Sequence, residues 1–274
     1  VIWSPAELAE RLADKDGVLT TGSQRVDAGL LAAAPRLKIA ANMAVGYNNF
    51  DVDAMTAAGV QGTNTPDVLT ETTADFGFAL LMATARRVTE SEHYLRAGQW
   101  TRWSYDLFAG SDIHGSTLGI LGMGRIGQGI ARRGAHGFGM NVIYHNRSRL
   151  SPELEAECKA RYVGKEELLR TADHLVLVLP YTPQSHHTIG AAELAQMKPT
   201  ANLINIARGD VFEGEPEVHP ALLEVPNVVL TPHIASATVP TRLAMANLAA
   251  DNLIAFFDGR GPLTPVNTPA GRGA

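Results

Sequence analysis

Apolar and polar positions alternate along this chain with two periods. Short apolar runs that read as buried strands fall at residues 17–20, 37–43 and 60–64, and stretches with helical spacing lie between them at 27–34 and 51–58. An earlier helix opens at Ser4-Pro5-Ala6-Glu7, a capping box with proline at the first helical position, and Leu8 and Leu12 give it one buried face. Strands that alternate with helices imply a parallel sheet with right-handed crossovers. A long helix is expected over residues 71–89. The stretch 97–115 is irregular, and its Trp100, Trp103, Tyr105 and Phe108 are either core filler or cover for a partner subunit.

The rhythm then resumes in the stretch that organises the chain. Residues 117–121 read as a strand, Gly122-Met123-Gly124-Arg125-Ile126-Gly127 as a tight turn opening a helix, and 141–145 as the next strand. The first glycine permits the turn, the second lets backbone approach a pyrophosphate, and the third allows close helix-to-strand packing. The N–H groups of the helix N-terminus then face that anion. A lone GxGxxG says little, but here it stands after a strand and before a helix with Ile126, Ile130 and Phe138 at helical spacing. Further strands are expected at 160–163, 174–179, 201–207 and 227–230. The last helix spans 241–257, with Leu243, Ala246, Ala250, Ile254 and Phe257 along its apolar face.

Where an NAD-binding chain carries Asp or Glu for the ribose 2′-hydroxyl, this one has Asn146, then Arg147, Ser148 and Arg149. A carboxylate repels a 2′-phosphate; arginine pairs with it, and Asn or Ser donates hydrogen bonds. The expected cofactor is NADP(H), with NAD(H) second.

Composition narrows the partners. A net charge of −5 without a long basic run argues against nucleic acid and membrane surfaces. The single cysteine, Cys158, excludes an internal disulfide and fits a reducing, cytoplasmic setting. The opening residues are acidic and amphipathic, unlike a signal peptide. No metal is called for. Arg208, Glu215 and His233 stand just beyond strand ends, where a nicotinamide and its substrate would meet in an open parallel sheet.

Taken in order, AVGYNNFDVDA, NTPDVLTETTADFGFALLMATARR, HGSTLGILGMGRIGQ, LPYTPQSHHTI, LINIARG, DVFEGEP and TPHIAS resemble the D-2-hydroxyacid dehydrogenase family, and its glyoxylate/hydroxypyruvate reductase branch above all. The resemblance implies two doubly wound α/β domains, a Rossmann cofactor domain (residues 73–240) inserted into a flavodoxin-like substrate domain (1–72 and 241–274). It implies a small 2-oxo acid substrate and a homodimer paired through the cofactor domain, with residues 100–108 at the contact. Arg208 would bind the substrate carboxylate, His233 would protonate the carbonyl oxygen, and Glu215 would orient that imidazole. Backbone N–H groups of Val45 and Gly46 would also grip the carboxylate. Cofactor contacts would come from Thr73, from residues 122–127 and 146–148, and from Leu179, Pro180, Ser185, Ile206, Ala207 and Asp210. A reductase of bulkier 2-oxo acids and a dinucleotide-sensing scaffold like the C-terminal-binding-protein corepressors are the rival readings.

The chain departs from the family at one junction. Gly209 and Asp210 are adjacent where the family has a loop, a helix and the start of a strand, and a parallel crossover needs about a dozen residues. Omitted residues, a truncation and a true loss are the three explanations; omission is the expectation, with a break in space between Gly209 and Asp210, and a normal peptide bond there would refute it. The family's opening strand and helix are likewise expected before Val1.

Overall fold

The computed structural model describes residues 3–180, 182, 184–207, 220–225 and 227–269 of the chain. Ser4 caps α1 (Pro5–Leu12) reciprocally: its N–H donates to Glu7 Oε2 at 2.8 Å, and the Glu7 N–H donates to Ser4 Oγ at 3.3 Å. There follow β1 (Gly17–Thr20), α2 (Ala28–Ala33), β2 (Ile39–Asn42), α3 (Val52–Ala57) and β3 (Gln61–Thr63). The three strands are parallel and pair in the order β1-β2-β3. In a flavodoxin-like order of 2-1-3-4-5 the last three strands run consecutively in this way. All four residues of the central β2 are buried, because helices cover both of its faces. Ala40 packs with Leu8, Leu30 and Met55 from α1, α2 and α3.

The next elements are α4 (Thr70–Ala85), α5 (Val88–Arg96), β4 (Thr117–Leu121), α6 (Arg125–Arg132) with a π-helical turn (Arg133–Gly137), and β5 (Asn141–His145). After them come α7 (Pro152–Glu157), β6 (Ala160–Tyr162), α8 (Lys165–Thr171), β7 (His174–Leu177), α9 (Ala191–Leu194), β8 (Asn202–Asn205) and α10 (Pro220–Leu223). Among the described residues the strands form one parallel sheet, β6-β5-β4-β7-β8, the 3-2-1-4-5 order of a doubly wound dinucleotide fold. The period of two is visible in the packing. Leu118, Ile120, Val142, Tyr144 and Val176 meet Phe78 and Leu81 of α4 and Ile130 of α6, while Leu121, Ile143, Leu175 and Leu177 meet Leu168 and Leu169 of α8.

The chain closes with α11 (Val239–Phe257), which packs on β1 and β2. A Cβ on Gly17 would lie 2.9 Å from Phe257 and 3.3 Å from Ile39, so α11 covers the face of β2 opposite Ala40. The chain thus divides into two units, Val1–Leu69 with Ala237–Ala274, and Thr70–Ser236. The divisions fall at the start of α4 and just before α11, a few residues earlier than the sequence reading puts them.

Three expectations are corrected. The helix expected over 71–89 is two helices, because the Ala85 carbonyl accepts the Ser111 N–H at 2.8 Å and Arg87 takes φ 52°, ending α4 without a glycine or proline. On α11 the expected apolar face is not the most buried one: Leu243 is 59% and Ile254 53% exposed, Ala246 and Ala250 are half-buried, and the buried stripe beside them is Thr241, Met245, Ala249, Asn252 and Ala255. Asn252 is inside because its Oδ1 accepts the N–H groups of Leu263 and Thr264, both at 2.9 Å. Residues 227–230 form no strand, since no ladder partner stands beside them among the described residues. The Gly209–Asp210 junction lies outside the described residues.

Candidate active site

Register places four strand ends on one edge of the larger sheet. Leu121 is level with His145 and with Leu177, and Leu177 with Asn205. Residues 122–127, 146–148, 179–180 and 206–207 therefore leave the same edge. The central β4 lies between β5 and β7, which is the switch point where an open α/β sheet binds ligands.

The turn after β4 is built from glycines for steric reasons. Gly122 has φ 103°, and a Cβ there would sit 2.6 Å from the Val178 carbonyl oxygen. A Cβ on Gly127 would lie 2.4 Å from the Gly122 oxygen, so the first turn of α6 rests on the loop. Gly124, the N-cap of α6, makes no side-chain cap, and its Cβ direction is open space. An uncapped helix N-terminus behind an open glycine fits a pyrophosphate. Thr73 adds a second sign: its hydroxyl is buried and lacks a hydrogen-bond partner among the described residues. These residues fit a dinucleotide.

Asn146 ties the end of β5 to that turn. Its Oδ1 accepts the Met123 N–H at 2.9 Å, and its own carbonyl accepts the Tyr162 hydroxyl at 3.2 Å. Arg147 and Ser148 beyond it are exposed. After β7, the Ser185 hydroxyl donates to the Pro180 carbonyl at 2.8 Å and accepts the Thr182 N–H at 2.8 Å, so it closes its own loop, and Leu179 is half-buried beside it. Ile206 and Ala207, both half-buried, are held by bonds from their N–H groups to the Leu177 carbonyl and to Asn205 Oδ1.

Of the three residues expected to carry the chemistry, the structure describes His233. It is exposed, takes φ 48°, and its N–H donates to the Thr231 carbonyl at 3.0 Å. Arg208, Glu215 and the cofactor contact Asp210 lie outside the described residues.

In the smaller unit, the loop after β2 carries Val45 and Gly46. Asn64 Nδ2 donates to the Val45 carbonyl at 2.8 Å, and Asn42 Nδ2 to the Gly46 carbonyl at 3.0 Å. Asn42 is fully buried and is fixed in turn by Thr20 and Asn49. Both carbonyls are turned inward, and neither N–H is in a hydrogen bond among the described residues, so the loop offers two backbone donors of the kind that suit an anion. The sequence reading missed Asn42, Asn49 and Asn64; the available signal was an asparagine at the end of each of two apolar runs, Asn42 and Asn64, while Asn49, in the loop between, gave none.

Comparison with known proteins follows the same outline. A family model described as D-isomer specific 2-hydroxyacid dehydrogenase, NAD binding domain, matches residues 78–211. The chain is 47% identical to a glyoxylate reductase of Thermococcus gammatolerans and 46% identical to one of Pyrococcus furiosus, each over 95% of this chain and 85% of the relative. The first alignment runs over 286 positions, more than the 274 residues present, so that relative has residues without a counterpart here. Among solved structures, the NADPH-dependent glyoxylate/hydroxypyruvate reductase of Sinorhizobium meliloti, in complex with NADP and malonate, is similar with a TM-score of 0.86 and 36% identity. That match covers 99% of this chain and 90% of the other. A protein of Thermus thermophilus matches with a TM-score of 0.89 and 39% identity over 97% and 90%.

Proposed function

The chain belongs to the D-isomer specific 2-hydroxyacid dehydrogenase family, an NAD(P)-dependent oxidoreductase family, and from that premise we propose that it reduces glyoxylate and hydroxypyruvate to the 2-hydroxy acids with a preference for NADPH. The observation that carries the cofactor preference is the end of β5. Asn146 stands where a carboxylate would exclude a 2′-phosphate, and neither Arg147 nor Ser148 has a hydrogen-bond or ion-pair partner among the described residues. Unpaired donors beside a tethered glycine turn suit a phosphate ester.

The smaller unit is the substrate domain in this reading and the larger one the cofactor domain. Thr73, residues 122–127, Leu179, Pro180, Ile206 and Ala207 would hold the dinucleotide. When bound, the cofactor supplies a hydride to carbon 2 of the 2-oxo acid. In the smaller unit the Val45 and Gly46 N–H groups are the proposed donors to a carboxylate, and in the larger unit the Arg208 guanidinium is the proposed cation for the substrate. Arg208 also polarises the 2-oxo group, His233 passes a proton to its oxygen, and Glu215 orients the imidazole. We read the shortening relative to family members at the Gly209–Asp210 junction, with Arg208 on one side and Glu215 and His233 on the other.

Trp103, 76% exposed, and Tyr105, 91% exposed, are read as part of the face that a second copy covers, making the protein a homodimer; sedimentation of the purified chain reads this directly.

Asn146→Asp tests the cofactor reading. The carboxylate still accepts the Met123 N–H, so the turn survives, while its charge opposes a 2′-phosphate and favours a ribose 2′-hydroxyl. The ratio of kcat/KM for NADPH to that for NADH is expected to fall about tenfold or more. An unchanged or higher ratio removes the preference.

A further inference from the structure

Two arginines follow Asn146, and they are in different electrostatic states. Arg149 is bidentate on Glu155, with Nε to Oε1 and Nη2 to Oε2 both at 2.8 Å. Glu155 Oε1 also accepts the Tyr144 hydroxyl at 2.7 Å, and that hydroxyl accepts the Leu150 N–H at 2.9 Å. Tyr144 is wholly buried and meets the Tyr162 ring edge-on, and Tyr162 holds the Asn146 carbonyl. The cluster is thus a brace from α7 to the end of β5. Hydrogen bonds from Arg149 and Tyr144 hold the Glu155 carboxyl down at about 2, so the pair stays ionised at every working pH. Burial first, and then Glu155, pushes the Tyr144 hydroxyl up to about 12, which keeps it a donor.

Arg147, two residues earlier, is exposed and has no hydrogen bond or ion pair among the described residues. The Glu155 side chain is only 12% exposed, against 65% for Arg149. Drawing Arg149 away would leave the carboxylate with the Tyr144 hydroxyl as its hydrogen-bond donor and without its counter-charge.

We propose that Glu155 is a specificity-determining positioning residue: by pinning Arg149 to α7 it withholds that arginine from the dinucleotide and leaves the 2′-phosphate to Arg147 and Ser148. This rests on the NADPH reading above, and it adds a residue outside the binding loop that sets how strongly the preference is expressed. With one loop arginine neutralised, the chain keeps measurable affinity for NADH while favouring NADPH. Removing the carboxylate would free a second cation for the phosphate.

The experiment is nicotinamide-fluorescence titration of the full chain and three variants with NADPH and with NADH, at low and moderate salt. Arg147→Ala is expected to weaken NADPH about tenfold and to leave NADH within about twofold. Arg149→Ala is expected to change NADPH affinity less than about threefold, since an exposed arginine already committed to a carboxylate has little to give. Glu155→Gln keeps the volume and an acceptor for Tyr144 but removes the charge. It is expected to tighten NADPH about three- to tenfold, leave NADH unchanged and steepen the salt dependence, an outcome that mere loosening of the brace would not give. The proposal is overturned if Arg149→Ala weakens NADPH as much as Arg147→Ala does, or if Glu155→Gln leaves the NADPH-to-NADH affinity ratio where it was. Arg149→Ala retains the Tyr144–Glu155 bond, so it remains readable if Glu155→Gln does not fold. If Arg147→Ala leaves the ratio untouched, the NADPH reading itself fails and this inference fails with it; if Arg147→Ala alone behaves as expected, only the role of Glu155 is lost.

Discussion

Replacing His233 is expected to lower kcat for 2-oxo acid reduction about 10²- to 10⁴-fold, the usual contribution of a positioned general acid. Affinity for the dinucleotide is expected to hold within about threefold, since the imidazole acts on the substrate oxygen. The choice of variant matters here. His233 takes φ 48°, and an L side chain in the left-handed region costs about 1–2 kcal/mol unless it is Asn or Asp. His233→Asn therefore separates chemistry from backbone strain better than His233→Ala, and both are expected to lose the same turnover. Retention of kcat within about fivefold in the asparagine variant assigns the proton to another group.

The second large effect is expected at the glycine turn, where two substitutions behave differently. Gly122→Ala forces φ 103° on an L residue and drives its Cβ to 2.6 Å from the Val178 carbonyl oxygen, contact with backbone that has no room to yield. Strain and overpacking together cost about 2–5 kcal/mol, read as a lower urea midpoint, and dinucleotide affinity falls with the distorted turn. Gly124→Ala meets nothing in the protein. Its stability is expected to stay within about 1 kcal/mol, yet its Kd for NADPH should rise about tenfold or more, because the methyl group occupies the space given to the pyrophosphate. A Gly124→Ala protein that binds NADPH normally would move the pyrophosphate elsewhere.

These two sites differ in how far the chain discloses them. The glycine turn was legible because every requirement is local: a strand, a positive φ, a close approach and a helix start all lie within residues 117–127, and β4 and α6 form there. The parallel order of both sheets followed from the same alternation of strand and helix. Features decided by distant partners were not legible. Arg87 ends α4 because Ser111 takes the Ala85 carbonyl, a contact made by a segment well along the chain. The apolar face of α11 was misread because small residues lie all round it and because Asn252, the most buried polar group there, is satisfied by Leu263 and Thr264. The asparagines that set Val45 and Gly46 connect β1, β2 and β3, a relation visible only once the sheet is formed. Arg149 reads in sequence as one of four donors, with Asn146, Arg147 and Ser148, for a phosphate; in the fold it belongs to Glu155.

The proposed activity of this family member is turnover of small 2-oxo acids with NADPH in preference to NADH. The direct measurement is initial-rate oxidation of NADPH and of NADH by the purified protein with glyoxylate, hydroxypyruvate and a bulkier 2-oxo acid such as phenylpyruvate. The expected result is saturable oxidation with glyoxylate and hydroxypyruvate, weaker oxidation with the bulky acid, and a kcat/KM for NADPH about tenfold or more above that for NADH. Binding of either dinucleotide without turnover of any 2-oxo acid would contradict the account and leave a dinucleotide-binding scaffold; turnover with NADH preferred would contradict the role given to Asn146, Arg147 and Ser148.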